Sequence, residues 1–383
     1  MKKSSNHIYL IILLAVLSSV APMGVDTYLP SIPQIADDFN VSIEKIELSL
    51  TIFLIGFTIG QIFGGPISDR FGRRKSSIFG LLGFSLFSFI IIFASNVYEL
   101  WIYRFIEAFF GGIVFVNAAA SIRDRFNGKE AAKVYSLMGV VRSAAPLVAP
   151  FIGAFIIHFF SWEAVFVFLT IYSLVVAFFV YEKLDESFTY MKQSVYHSFK
   201  LVLSNFEAVK IMLVLGFAFG GFFLLISKSS FIYIEYFNIS TDFFPFFFAV
   251  NFLVLMSLAR LNIMLVKYFK TINIVKFALI IQIVAGLLFI VNHEDISIIT
   301  TVILIAAYMG SMAFIFGNCV ALAIEHFPNN AGVASSVIGV LQFGLGSLIS
   351  SLALSYHGGT FLPIGVSITF VSSIAFLLVF RSK

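Results

Sequence analysis

Five ionisable side chains lie within, or near the ends of, long apolar stretches of this chain: Asp26, Arg104, Glu107, Arg142 and Lys228. A charged group at the centre of a lipid bilayer costs at least about 2.5–3.5 kcal/mol, so such groups pair with one another or face a watery cavity. Two interpretations follow. Either Arg104, Glu107 and Arg142 form a neutral buried cluster that stabilises the fold, or they recognise the charge of a substrate or transfer protons.

The spacing of these residues indicates which of them can meet. Arg104 and Glu107 are three positions apart, which makes them neighbours on a helix and allows an ion pair. Arg142 lies in the next apolar stretch, and an antiparallel pair of helices would bring it near the depth of Glu107. These three residues are therefore expected to lie close together.

Asp26 is the preferred proton carrier. A carboxylic acid that is removed from water holds its proton more tightly, and a buried Asp can therefore load and release a proton near neutral pH. Its depth depends on the first helix: Asp26 is interfacial if the helix stops at Tyr28, and faces a cavity if the helix continues through Pro30 toward Ile35. Lys228 is expected at a comparable depth, where a pairing with Asp26 would disfavour simple cationic substrates.

The aromatic residues are numerous, with 49 Phe in the chain. Most of them are expected to face lipid, although the run "FFPFFF" at 243–248 could also form part of a binding wall. Tyr28 and Phe109 are the two aromatic residues that we expect to touch a cavity.

The composition indicates whether the segments that carry these residues lie in water or in lipid. Of the 383 residues, 60% are hydrophobic and 11% are charged, with a mean hydropathy of +1.02. Such a chain is too apolar for a soluble domain of this length, and apolar runs of about 20 residues are long enough to cross a bilayer as helices. Twelve runs are predicted, near 8–28, 46–67, 77–95, 100–121, 132–159, 162–181, 209–234, 243–264, 273–292, 297–322, 332–355 and 360–380. The fold class is therefore an all-α integral membrane protein.

The longest polar interval divides the twelve runs into six and six. The prediction is a first bundle over residues 1–181, a cytoplasmic linker over 182–206 and a second bundle over 207–383. The single cysteine, Cys319, excludes an intrachain disulfide and is expected to serve packing alone.

The basic residues indicate the orientation. Of the 24 Lys and Arg residues, all but four fall at the two termini or in loops on one side, and the exceptions are Lys45, Arg104, Arg142 and Lys228. Lys and Arg are retained in the cytoplasm during insertion, so both termini are expected there. The net charge of +4 reflects this loop bias and does not indicate nucleic-acid binding. The acids of the opposite loops, including Glu44 and Glu47, are expected to be solvated.

One cytoplasmic loop has a more specific pattern. The stretch "GGPISDRFGRRK" at 64–75 follows a stripe of Gly56, Gly60 and Gly64, which allows two helices to approach closely. Retention of positive charge in the cytoplasm would explain the basic residues but not the spacing G-x8-G-x3-D-R-x-G-R-R-K. This pattern resembles the loop signature of the major facilitator superfamily, and its members here are Gly56, Gly65, Asp69, Arg70, Gly72, Arg73, Arg74 and Lys75.

The resemblance implies a role for this loop as a conformational latch. In the family the aspartate helps to hold the outward-facing state, and here Asp69 could stabilise the positive N-terminus of span 11 near Asn330. The arginines are expected to pair with acids of neighbouring loops, for which Asp124 and Glu130 are the candidates.

Three further stretches resemble drug exporters within that superfamily. "DTYLPSIP" at 26–33 resembles the D-x-Y-L-P-x-x-P signature of bicyclomycin and chloramphenicol exporters. "RFIEAFFGG" resembles an R-x-x-Q pattern in which Glu107 replaces the glutamine. "SAAPLVAPFIGAF" resembles the antiporter signature with Pro146, Pro150 and Gly153, and the two prolines are expected to kink the helix.

Membership implies twelve helices in two six-helix bundles, with the substrate bound near the membrane centre between them. No G-x-x-x-x-G-K-[ST] phosphate loop and no H-x-x-x-H metal pair occur in the sequence. The predicted function is therefore proton-coupled export of small amphipathic toxic compounds across the inner membrane by a monomer, without catalytic activity, cofactor or metal. A carrier of a metabolite or nutrient, and a receptor or scaffold that does not transport, remain as alternatives.

Overall fold

The computed structural model describes residues 2–125, 128–186, 195–327, 331–354 and 360–380. Within these ranges the chain is almost entirely helical, and no strand occurs in them. Two compact units divide the chain, residues 1–192 and 193–383. The boundary falls inside the predicted linker.

The first unit contains seven α-helices and one 3-10 turn in its described part. They are α1 Lys2–Asp26, the 3-10 turn Leu29–Ser31, α2 Ile32–Asp38, α3 Ile43–Phe71, α4 Arg73–Ile91, α5 Val97–Arg125, α6 Gly128–Phe159 and α7 Glu163–Lys183. Helix α5 packs against α1, α3 and α4, while α1 also packs against α6. This arrangement places α5, which carries Arg104 and Glu107, in the interior of the unit.

The second unit contains a further seven α-helices and one π-helical segment in its described part. They are α8 Val195–Ser204, α9 Phe206–Ser227, the π-helical segment Phe231–Tyr236, α10 Phe244–Leu265, α11 Thr271–Val291, α12 Ile298–Glu325, α13 Ala331–Leu354 and α14 Leu362–Phe380. Side chains cap two of the helices: Asn205 accepts from the amide of Ala208 at 3.1 Å, and Ser297 accepts from Thr300 at 3.2 Å. Helix α8 lies within the interval that the sequence analysis treats only as a linker.

Membrane-spanning length is reached by eleven helical segments of the described chain, against twelve predicted runs. The remaining run corresponds to α6, whose apolar part in the described region is the shorter segment Ala144–Phe159. The helices also expose many large apolar side chains, with Leu377 71% and Val291 77% exposed. Apolar surfaces of this kind require lipid around them, so the all-α membrane fold is confirmed.

The glycine stripe of α3 forms a close helix contact in the first unit. A Cβ atom added to Gly56 would overlap the carbonyl oxygen of Phe105, and one added to Gly60 would overlap that of Phe109. Helices α3 and α5 therefore touch backbone to backbone, as the stripe predicts.

We expect the substitution Gly60→Ala to destabilise the protein by about 1–3 kcal/mol, because the new methyl group forces α3 and α5 apart. Gly65→Ala on the same helix is the matched control, since a Cβ atom there meets nothing within 4 Å. Thermal unfolding of both variants in detergent measures the difference. Equal unfolding temperatures would show that the contact is not tight.

Candidate functional site

Helix α1 ends at Asp26, and the chain then continues as an interrupted helical path. A turn at Thr27 and Tyr28 leads into the 3-10 turn and α2, so that the apolar segment as a whole runs from Tyr9 to Asp38. Pro30 explains the interruption, because it lacks the N–H that would bond the carbonyl of Asp26 and its ring would clash with that carbonyl. The span thus neither stops at Tyr28 nor continues as one regular helix toward Ile35.

The Asp26 side chain is only 4% exposed at this break. Among the residues that the structure describes, none forms a hydrogen bond or ion pair with its carboxylate. An isolated carboxylate is costly to bury, whereas the protonated form is much less so. The site therefore suits a group that gains and loses a proton.

Arg104 and Glu107 form the predicted ion pair in the interior of the first unit. Arg104 Nη1 donates to Glu107 Oε2 at 2.7 Å, and both side chains have no exposed surface. Ser88 Oγ donates to Glu107 Oε1 at 2.6 Å, and Arg104 Nη2 donates to the carbonyl oxygen of Gly24 at 3.0 Å. Both carboxylate oxygens of Glu107 are therefore occupied by donors.

Aromatic rings enclose the guanidinium group of Arg104. Its central carbon lies 4.3 Å from the ring centroid of Phe53 and 4.6 Å from that of Tyr28. Such faces attract a cation more strongly when water is excluded. Tyr28 is itself fully buried, and its hydroxyl lies 2.9 Å from Ser49 Oγ, so its ring belongs to the interior of the bundle in this structure.

Phe109 is placed differently from Tyr28, because it keeps part of its surface exposed. Its ring centroid lies 6.2 Å from that of Phe63, which is 53% exposed on α3.

The proline-rich part of α6 contacts the break in the first span. Helix α6 continues through both Pro146 and Pro150, and a Cβ atom added to Gly153 would overlap the carbonyl oxygen of Thr27. Gly153 therefore allows α6 to approach the residue that follows Asp26.

The surroundings of the two other predicted charges, Lys228 and Arg142, are described less completely. Lys228 is 7% exposed at the C-terminal end of α9, and its ammonium nitrogen lies 4.8 Å from the ring centroid of Phe231. The π-helical segment follows directly. The side chain of Arg142 lies outside the described residues, so its expected proximity to Glu107 stays a prediction.

Glu47 is buried, although it is expected from the sequence to lie in a solvated loop. Helix α3 begins at Ile43, which is earlier than the predicted start at residue 46, and the Glu47 side chain turns into the interior with no exposed surface. The expectation of solvation was wrong for this residue, because α3 begins three residues before the predicted run and Glu47 already lies in its second turn.

The loop between α3 and α4 is organised around Arg73. Its guanidinium group donates to Asp69 Oδ1 and Ser68 Oγ, both at 2.6 Å, and to Asp124 Oδ2 at 2.7 Å. Asp124 is thus the partner that the sequence analysis named, whereas the Glu130 side chain lies outside the described residues. The expected partner of Asp69 near Asn330 also lies outside them, and the latch stays a prediction.

Three other members of the loop signature have different surroundings. Gly72 has φ of 93°, a conformation that favours glycine, and it separates α3 from α4. Gly65 has open space around it, and the guanidinium of Arg70 lies 5.5 Å from the ring centroid of Phe71.

A multi-pass helical bundle with a charged interior and this loop defines a membrane transport protein of the facilitator type. The family model of the Major Facilitator Superfamily matches residues 14–351, and the chain belongs to that family.

One relative matches nearly the whole chain, and a second matches less than half of it. The chain is 32% identical to a bicyclomycin resistance protein homolog of Haemophilus influenzae over 95% of this chain and 93% of that protein. It is 31% identical to a chloramphenicol resistance protein of Pseudomonas aeruginosa, over 42% of this chain and 38% of that protein.

Solved structures have the same fold. A D-xylose–proton symporter superposes with a TM-score of 0.73 at 20% identity, covering 97% of this chain and 96% of that one. A bacterial homologue of the human lysosomal transporter Spinster superposes with a TM-score of 0.75 at 13% identity, covering 98% and 97%. At such identities the likeness concerns the fold alone.

Proposed function

We propose that this protein is a proton-coupled exporter that moves small amphipathic drugs or toxic compounds by alternating access. It acts as a monomer in the inner membrane, with both termini in the cytoplasm. The observation that carries the proposal is the enclosed Asp26 carboxylate, which lies at a helix break without a described partner. Discontinuous helices are the usual location of substrate and ion sites in secondary transporters.

Asp26 is assigned the proton, and Glu107 is not. Protonation of Glu107 would weaken its pairing with Arg104 and its bond from Ser88. Protonation of Asp26 breaks no contact with any described residue and relieves the cost of a buried charge. A proton that enters from outside then competes with the outbound substrate, and the exchange is driven by the proton gradient.

The ion pair of Arg104 and Glu107 is assigned to the support of this site. Arg104 binds the carbonyl of Gly24, two residues before Asp26, and thereby fixes the end of α1. Lys228 and Arg142 are assigned to the selection of substrate charge. The loop that contains Asp69 and Arg73 is assigned to the balance between inward- and outward-facing states.

The relatives support drugs as the substrate class. The H. influenzae protein is named for bicyclomycin resistance, and the P. aeruginosa protein for chloramphenicol resistance. A metabolite or nutrient carrier with the same fold is the second candidate, because the fold alone does not determine the substrate.

Transport in proteoliposomes under an imposed pH gradient tests the proposal. We expect uphill movement of chloramphenicol or bicyclomycin that collapses when an ionophore dissipates the proton gradient. Movement of sugars or amino acids alone would favour the nutrient carrier. No movement of any compound in a broad panel would favour a protein that does not transport.

A further inference from the structure

The carboxylate of Glu186 contacts the loop of Asp69 and Arg73 from more than a hundred positions away in sequence. Helix α7 ends at Lys183, and three residues later Glu186 Oε1 accepts from the backbone amide of Arg73 at 2.6 Å and from that of Arg74 at 3.4 Å. These are the first two amides of α4, where a helix carries partial positive charge and free N–H groups. Glu186 therefore caps α4.

Gly72 makes room for this cap. A Cβ atom at residue 72 would lie within 2.6 Å of both carboxylate oxygens of Glu186. The φ of 93° turns the backbone at the junction of α3 and α4, and glycine adopts this conformation without strain. Gly72 of the loop signature thus leaves space for the carboxylate of Glu186, a residue that is not part of the signature.

Two further contacts join the same segments. Arg74 Nη2 donates to the carbonyl oxygen of Tyr181, and its guanidinium carbon lies 4.8 Å from the ring centroid of that residue. Arg125 at the end of α5 donates to the carbonyl oxygen of Asp185. Residues 181–186 are thereby fastened to the loop and to α5 at three points.

We infer that Glu186 is a positioning residue for the loop that contains Asp69 and Arg73. The start of the linker, where Glu186 lies, therefore takes part in the function of this loop. Arg73 connects the two, because its backbone amide is held by Glu186 and its side chain holds Asp69 and Asp124. Release of Glu186 frees the first turn of α4 and shifts the guanidinium group from which Asp69 takes its orientation. The consequence for transport rests on the proposed role of Asp69 in the balance of states.

Hydrogen exchange of the purified full-length protein tests the contact itself. We expect Glu186→Gln to speed exchange of the amides of Arg73 and Arg74 about tenfold or more, because a neutral amide is a weaker acceptor than a carboxylate. Glu186→Asp, with its shorter side chain, has an intermediate effect. Glu182→Gln, which changes an exposed carboxylate on α7, leaves exchange unchanged. Unchanged exchange in Glu186→Gln would overturn the inference.

Cysteine labelling tests the connection to the two states. In a Cys319→Ser background, single cysteines introduced one at a time along α1 and α3 are labelled with a membrane-impermeant thiol reagent added from either side. The labelling identifies the positions that water reaches from each side of the membrane. We expect Glu186→Gln and Asp69→Asn each to shift labelling between the two sides, and the double variant to shift it no further than the larger single effect. Additive shifts, or no shift in Glu186→Gln, would overturn the connection.

The two tests separate the two hypotheses. If Asp69→Asn alone leaves labelling unchanged, the proposed latch fails. The exchange result still decides whether Glu186 positions the loop.

Discussion

We expect the variant Asp26→Asn to lose proton-driven transport, with the uphill rate falling at least about 100-fold, while substrate still exchanges down its own gradient. Asparagine has nearly the same size as aspartate but does not bind or release a proton near neutral pH, so loading and release of the proton stop. Removing a group that takes part directly in proton transfer commonly costs 10²–10⁴-fold in rate. Uptake into proteoliposomes with and without a pH gradient measures both quantities.

The matched control for this experiment is Asp37→Asn. Asp37 is an exposed carboxylate on α2, the short helix that continues the interrupted span. We expect it to retain the rate of the unmodified protein. If Asp26→Asn keeps uphill transport, the proton is carried elsewhere, and Glu107 becomes the next carboxylate to replace.

The helical architecture was predictable because lipid imposes a simple rule on the sequence. Each span must be apolar over about 20 residues and satisfy its backbone within the helix, so hydropathy alone locates the segments. The ion pair of Arg104 and Glu107 followed from a spacing of three residues. A close helix contact along α3 followed from glycines at every fourth position, although the stripe did not indicate that the partner would be α5. These features depend on neighbours in sequence.

The features that were missed depend on distant neighbours or on a precise helix start. Nothing near Glu186 in sequence indicates that it caps α4, because its partner lies at Arg73. Glu47, at the edge of the predicted run 46–67, was assigned to a loop because hydropathy does not define where α3 begins. The break after Asp26 did carry a local signal, since Pro30 stands four residues later and removes the bond to its carbonyl.

Loss of the ion pair between Arg104 and Glu107 is expected to lower stability, whereas loss of the Asp26 carboxylate is expected to abolish proton coupling. Arg104→Met leaves the Glu107 carboxylate fully buried with only Ser88 as a described partner, and we expect it to destabilise the fold by about 3–5 kcal/mol. Glu107→Met similarly isolates the Arg104 guanidinium. The double variant Arg104→Met with Glu107→Met leaves no buried charge behind, so it should be more stable than either single variant. Arg260→Met, which removes an exposed arginine of α10, serves as the control.

Thermal unfolding in detergent and proton-driven uptake by the folded fraction together decide the role of the pair. If it supports the site, the double variant recovers most of the lost stability, and its folded fraction transports at a reduced rate with proton coupling intact. Additive destabilisation of the two single variants would show that the residues do not act as a pair. A stable double variant that exchanges substrate but has lost the response to the pH gradient would move the proton from Asp26 to Glu107.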